Sequence, residues 1–217
     1  LYMKSSSRPL YGLRSHEGFW RFLMLRHSVA HDRWLVNIVT AEKDIAEVQP
    51  LADILREKYS NVASVVNNVT ASKAGVAIGE YEIHLAGESC LKEKLGPYEF
   101  EVSANSFFQT NTRGAVVLYD TVKEFARLTG NENVLDLYSG TGTIPIWLSD
   151  AAAEIIGIEI VESAVADARE NCIKNGVTNC RFMTGDIREM GSTITHTPDV
   201  LIIDPPRTGM HKDVVKQ

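Results

Sequence analysis

The chain has 217 residues, 44% of them apolar and 23% charged, with a formal net charge of −6. Such a length buries one good core or two modest ones, so one or two domains are expected. The sequence holds no run of about 18 apolar residues to span a bilayer and no signal-peptide pattern, so a soluble, cytoplasmic protein without a membrane partner is expected.

Residues 19–27 and 34–40, rich in aromatic and β-branched side chains, are predicted as two strands. A helix is expected over residues 47–59, with Leu51, Ile54, Leu55 and Tyr59 on one side and Pro50 in its first turn. Residues 62–69 return as a strand. Gly79-Glu80, Gly87-Glu88 and Gly96-Pro97 then punctuate a β-rich stretch as turns. Residues 1–103 therefore read as a small central α/β unit. Residues 104–217 read as a second domain. It opens with a helix over residues 111–128, with Leu118, Val122 and Phe125 on one face and Val116, Tyr119 and Ala126 beside them. Strands are predicted to begin at Asn133, Glu154, Cys180 and Asp199. Crossover helices over residues 140–149 and 162–175 would make right-handed parallel βαβ units. From Met210 a helical pattern starts and stops at Gln217 without a cap, so the sheet is expected to be truncated at its C-terminal end. Cys90, Cys172 and Cys180 are an odd number without a C-x-x-C pair, which suggests neither a disulfide framework nor a metal site.

The stretch Val134-Leu-Asp-Leu-Tyr-Ser-Gly-Thr-Gly-Thr143 carries the strongest signal, an apolar strand running through an acid into a Gly-x-Gly turn and a helix start. A Rossmann-like sheet opens a nucleotide-type cofactor site in this way. Gly140 and Gly142 would permit positive φ and let the backbone approach a ligand where a Cβ would fill the space. A dinucleotide fingerprint wants a small residue three positions after the second glycine, where Pro145 stands, so an NAD site is disfavoured. Glu159 ends a second short strand 17 residues past Gly142, close to the spacing of an acid that takes ribose hydroxyls. Asp186 ends a third strand, placed to accept from an adenine amino group, and Asp204 ends a fourth. Each acid taken singly could be a helix cap or a solvated strand end. Together, four strands deliver a polar group at the carboxyl edge, where open α/β sheets bind ligands.

The spacing Asp136-x-x-x-Gly140-x-Gly142 resembles motif I of the S-adenosylmethionine (SAM) methyltransferases. Ala104-Asn-Ser-Phe-Phe-Gln-Thr-Asn111, motif I and Asp204-Pro-Pro-Arg-Thr-Gly209 together resemble the SAM-dependent RNA uracil-5-methyltransferases that modify ribosomal and transfer RNA. The resemblance runs from about Gly12 to the end. Arg207 stands where amino-group methylases carry an aromatic residue, and Pro206 and Arg207 leave no place for the cysteine of RNA cytosine-5 methyltransferases.

That resemblance implies a Rossmann-like SAM methyltransferase sheet preceded by the small α/β unit, SAM as cofactor, and RNA as partner, with ribosomal RNA favoured over transfer RNA. It implies that Tyr138, Gly140, Gly142 and Thr143 hold the cofactor's methionine side, Glu159 its ribose and Asp186 its adenine, with Asp136 also binding the cofactor. Gln109 and Asp204 would stand beside both the SAM methyl and the target base, holding the Watson-Crick edge of a flipped uracil. Ser139 stands where relatives often have Cys, and Thr143 where some have Asn.

Uracil C5 is a poor nucleophile, and the family adds a cysteine thiolate to C6 before methyl transfer, then removes the C5 proton with a general base. In relatives the cysteine lies in a Ser-Cys-Asn-Pro segment and the base is a glutamate near the carboxyl terminus. Neither segment occurs in this sequence, so the 217 residues alone are expected to be inactive. Many relatives also carry a four-cysteine iron-sulfur cluster ahead of the present start, which nothing in this chain could hold. Two alternatives stay open, an amino-group methylase acting on adenine or guanine, and a non-catalytic SAM- or RNA-binding remnant.

The net charge of −6 argues against RNA binding, since phosphate contacts need local positive potential. Its distribution softens the objection. Lys4, Arg8, Arg14, Arg21, Arg26 and Arg33 face only Glu17 and Asp32 in the first 33 residues. An RNA-contacting edge and the solvent face of a strand are both open readings of these cations.

Overall fold

In the computed structural model, the structure describes residues 2–73, 79–190, 197–207 and 209–215. The chain divides into two compact units, Leu1–Glu93 with Ser103–Asn105, and Lys94–Val102 with Ser106–Gln217.

The first unit follows a one-turn helix α1 (Tyr2–Ser5) with strands β1 (Trp20–Ser28) and β2 (Arg33–Thr40), helix α2 (Ile45–Lys58), and strands β3 (Val62–Val69) and β4 (Tyr81–Gly87). The sheet order is β1-β2-β3-β4. Only β2 and β3 pair in parallel, because α2 provides the crossover between them. Every residue of β3 is buried, as expected of a strand covered on both faces.

Two details of α2 differ from expectation. The Asp44 side chain accepts from Glu47 N at 3.3 Å and starts the helix at Ile45, so Pro50 falls in the second turn rather than the first. The buried stripe is Val48, Leu51 and Ala52 with Leu55 partly covered, while Ile54 and Tyr59 are exposed. Spacing of three and four residues is kept, displaced one turn toward the N-terminus.

Polar side chains inside this unit bond to one another. Asn68 Nδ2 donates to Asn37 Oδ1 at 3.0 Å, Asn105 Nδ2 donates to Asn68 Oδ1 at 2.9 Å, and Asn67 Nδ2 donates to the Ile38 carbonyl at 2.8 Å. Four of the amino-terminal arginines are half-buried and engaged within the unit. Arg8 pairs with Glu42 and lies over the Phe19 ring. Arg21 donates to the Thr70 carbonyl at 2.7 Å, Arg26 to the Ala104 carbonyl at 3.3 Å, and Arg33 to Glu88 at 3.5 Å.

Strands β5 (Leu91–Leu95) and β6 (Tyr98–Val102) form a two-stranded ladder. The second unit continues through α3 (Thr112–Ala126), β7 (Asn133–Leu137), α4 (Thr143–Leu148), β8 (Glu154–Glu159), α5 (Glu162–Lys174), β9 (Cys180–Thr184), α6 (Ile187–Met190) and β10 (Val200–Ile203). Its sheet has the order β10-β7-β8-β9 and is parallel throughout. Ile203 pairs with Leu137, Leu137 with Ile158, and Glu159 with Thr184, so the carboxyl ends form one edge. β7, β8 and β9 begin at the residues expected, and β10 one residue later. The single turn over residues 212–215 stands where a helix was expected from Met210, and Thr208, Lys216 and Gln217 lie outside the described residues.

Asn111 caps α3 by accepting from Gly114 N at 3.0 Å. The face of α3 that is buried is Ala115 and Tyr119, with Val116 and Val122 partly covered, whereas Leu118 is 45% and Phe125 79% exposed. The expected face is therefore corrected. Apolar residues run unbroken from Ala115 to Tyr119 and so fall on every side of this helix, and the Tyr119 ring packed against Trp147 sets its rotation.

Phe182 on β9 fills a space that two glycines keep open. A Cβ on Gly142 would lie 2.7 Å from the Phe182 ring, and one on Gly157 2.6 Å from it. Gly142 is thus required by the protein's own packing as well as by the positive φ expected of it.

Candidate cofactor site

β7 delivers the chain into a loop that reverses sharply. Tyr138, Gly140 and Gly142 all have positive φ, at 67°, 53° and 78°. A tyrosine in the left-handed region costs about 1–3 kcal/mol, a strain that clusters at binding loops. The sequence carries no signal for it, since Tyr138 has none of glycine's freedom. A Cβ on Gly140 would meet nothing within 4 Å, so there only the backbone conformation calls for glycine.

Glu159 at the end of β8 braces the loop. Its Oε2 accepts from Gly140 N at 3.0 Å and its Oε1 from Val161 N at 2.9 Å. Each oxygen keeps a second lone pair, so the carboxylate can still accept from a vicinal diol. Asp186, at the end of β9, accepts from Arg188 N at 2.9 Å and from the Arg188 guanidinium. That side-chain bond, and then the backbone one, hold its carboxyl down at about 2.

Asp136 differs from both. It is 1% exposed and neither carboxyl oxygen has a hydrogen-bond partner. Burial, then the charges of Asp204 and Glu159, push its titration well above the usual carboxylate range. Ser139 Oγ and Thr141 Oγ1 in the following loop are also buried and unpartnered. Native interiors satisfy nearly all such groups, so a cluster of them at one strand end fits a polar ligand that brings its own partners.

Beside the loop is an open cleft of about 310 Å³, solvent space included. Gln109, Tyr138, Gly140, Thr143 and Asp204 line it, with Phe107, Phe108 and Tyr119. The structure thus brings five of the expected site residues to one surface. Asp136 and Gly142 lie buried at the base of the same loop, and Glu159 and Asp186 follow along the sheet edge. Tyr119 was expected only as packing. The segment carrying Gln109 is pinned on both sides, by Ser106 Oγ donating to Asp167 Oδ2 at 2.6 Å and by the Asn111 cap. No lysine, arginine or histidine lines the cleft among the described residues, and Asp204 does, so its field suits a cationic ligand.

Cys172 and Cys180 face one another across α5 and β9. That contact, together with burial, raises Cys180 and keeps it a thiol rather than a nucleophilic thiolate. Among the described residues, no group of three or more His, Cys, Asp or Glu side chains is placed to hold a metal ion, and no helix is long and apolar enough to cross a membrane.

Residues 128–208 match the family model described as a methyltransferase domain. The fold is the Rossmann-like sheet of SAM-dependent methyltransferases. An uncharacterized RNA methyltransferase of Chlorobaculum tepidum is 42% identical over 207 residues, covering 93% of this chain and 43% of that protein. One from Nitratidesulfovibrio vulgaris is 37% identical over 220 residues, covering 98% of this chain and 47% of that protein. Among solved structures, the tRNA (uracil-54, C5)-methyltransferase of Pyrococcus abyssi in complex with S-adenosyl-L-homocysteine superposes with a TM-score of 0.73 at 32% identity, over 95% of this chain and 48% of that one. The chain spans about half the length of the curated relatives it matches.

Proposed function

We propose that this chain carries the cofactor site of a SAM-dependent RNA methyltransferase, and that the whole protein methylates C5 of a uracil in RNA. One observation carries the reading: Gln109 and Asp204, from segments nearly 100 residues apart, line the same cleft as the Tyr138–Thr143 loop. The solved tRNA uracil-54 enzyme, which matches 95% of this chain with 48% of its own, supports the choice of base.

In this reading a bound cation draws Asp136 into its charged form beneath the loop, Glu159 accepts from the ribose hydroxyls, and Asp186 accepts from the adenine amino group once it shares its bond with Arg188. SAM, when bound, supplies an electrophilic methyl group on a sulfonium. The Gln109 amide can both donate and accept, and the Asp204 carboxylate can accept, which matches the carbonyls and N–H of a uracil edge. Holding the base in register is where such groups act on rate.

Calorimetry tests the cofactor site directly: SAM should bind the chain and NAD should give no heat. For the base, RNA treated with the whole protein and labelled SAM should yield 5-methyluridine on digestion. Methylated adenine or cytosine instead would reject the uracil assignment while leaving the cofactor site intact.

A further inference from the structure

Tyr119 lies in the cleft wall and no role above uses it. It is 1% exposed, and its ring is held against Trp147 at 6.0 Å between centroids, whose indole N–H in turn donates to Asp120 at 3.1 Å. The phenol oxygen is 3.0 Å from Thr143 Oγ1. Two hydroxyls own two hydrogens, and a single bond between them uses one. Neither hydroxyl has another partner among the described residues, so one hydrogen is left for whatever fills the cleft.

What this donor meets follows from the order of the strands. Adenine and ribose are read at the ends of β9 and β8, and continuing along the sheet β9-β8-β7-β10 brings the ligand's other end past Thr143 toward Asp204. The acid that lines the cleft there, Asp204, suits the sulfonium and ammonium and repels a carboxylate. The ligand's carboxylate needs neutral donors, and the hydroxyl pair is such a donor. Burial first, then Asp204 and Asp136, raise the Tyr119 phenol, so it stays protonated.

We propose that Tyr119 is a positioning residue for the amino-acid end of the cofactor, acting with Thr143 as a two-hydroxyl relay that donates its spare hydrogen to the ligand's carboxylate. The inference rests on the SAM reading of the site.

The test compares three ligands on the full chain by calorimetry: SAM and S-adenosylhomocysteine, which carry the carboxylate, and 5′-methylthioadenosine, which lacks it. Tyr119→Phe keeps the ring and should lower affinity for the first two by about 10- to 150-fold, the usual range of one hydrogen bond to a charged group. Affinity for methylthioadenosine should be unchanged. Thr143→Val should act the same way and add little to Tyr119→Phe, while Thr143→Ser should retain binding. Unchanged SAM affinity in Tyr119→Phe overturns the proposal, and so does an equal loss for all three ligands, which would mark a packing role. A wild-type chain that binds none of the three overturns the cofactor reading and this inference with it.

Discussion

The two units treat buried polar groups in opposite ways. In the first, nearly every side chain with an unpaired buried atom has another atom bonded within the unit: Asn67 to Ile38, Asn105 to Asn68, and the arginines to carbonyls and acids. Ser64 is the exception. In the second, Asp136, Ser139 and Thr141 have no partner for any side-chain oxygen, and all three sit within six residues at the end of one strand. Burial of a polar group without a partner is costly in either place. Its concentration at one strand end is what separates a binding site from a scaffold, and the contrast says more than the count of polar residues in either unit.

The largest effect that would break this contrast lies in the scaffold. Asn68→Ala removes the middle of the Asn37-Asn68-Asn105 ladder and should destabilise the protein by about 2–4 kcal/mol, since one buried and one half-buried amide lose a partner together. Denaturant melts that show a change below about 0.5 kcal/mol, the scale of an ordinary surface substitution, would mean the ladder is wet or replaceable.

Next comes Glu159→Ala, expected to weaken SAM binding by about 1.5–3 kcal/mol, the range for hydrogen bonds to a charged group. Because Glu159 also accepts from Gly140 N and Val161 N, the loop should loosen as well. Calorimetry with unchanged affinity would remove the ribose role and leave only the brace.

Asp136→Asn should act on stability with the opposite sign to Asn68→Ala. Below about pH 4 the carboxyl is protonated in folded and unfolded chains alike and contributes nothing. Above that the unfolded chain ionises while the folded one retains its proton, so stability falls as pH rises toward the raised folded value. The asparagine variant should lose this slope and melt higher than the parent at neutral pH, yet bind SAM less well. Parallel melting profiles from pH 4 to 8 would show that the carboxyl is already paired.

The smallest effect is expected at Asp186. Its lowered value, about 2, means stability present above about pH 4 and lost as pH falls toward 2. Arg188→Ala should return the carboxyl toward the ordinary range in an NMR titration, with little change in melting at neutral pH because exposed pairs contribute little.

Much of this was legible from residues alone. Apolar runs such as Val200–Ile203 and the acids that end them marked the parallel strands, although in that run only Ile202 is buried while Leu201 and Ile203 stay exposed. The left-handed turns at Gly140 and Gly142 were legible because glycine takes a positive φ at no steric cost. Which face of α3 is buried was not, since its apolar residues cover most of the surface and a ring from α4 decides the rotation. The amino-terminal arginines were visible as charge, but their partners Glu42, Thr70, Glu88 and Ala104 are distant in sequence, so charge did not reveal engagement. Tyr119 read as one more apolar position because the partner of its hydroxyl lies 24 residues on.

The Phe182 ring sets a spacing. With Gly142 above it and Gly157 beside it, one aromatic ring fixes how high the ligand loop rides over the sheet and how closely β8 and β9 lie beneath it. The loop after β7 and the end of β8 are therefore held to a common gauge by one ring. A smaller side chain at 182 would let the loop settle and the strand shift together, altering the reach of the whole edge without removing a single polar contact.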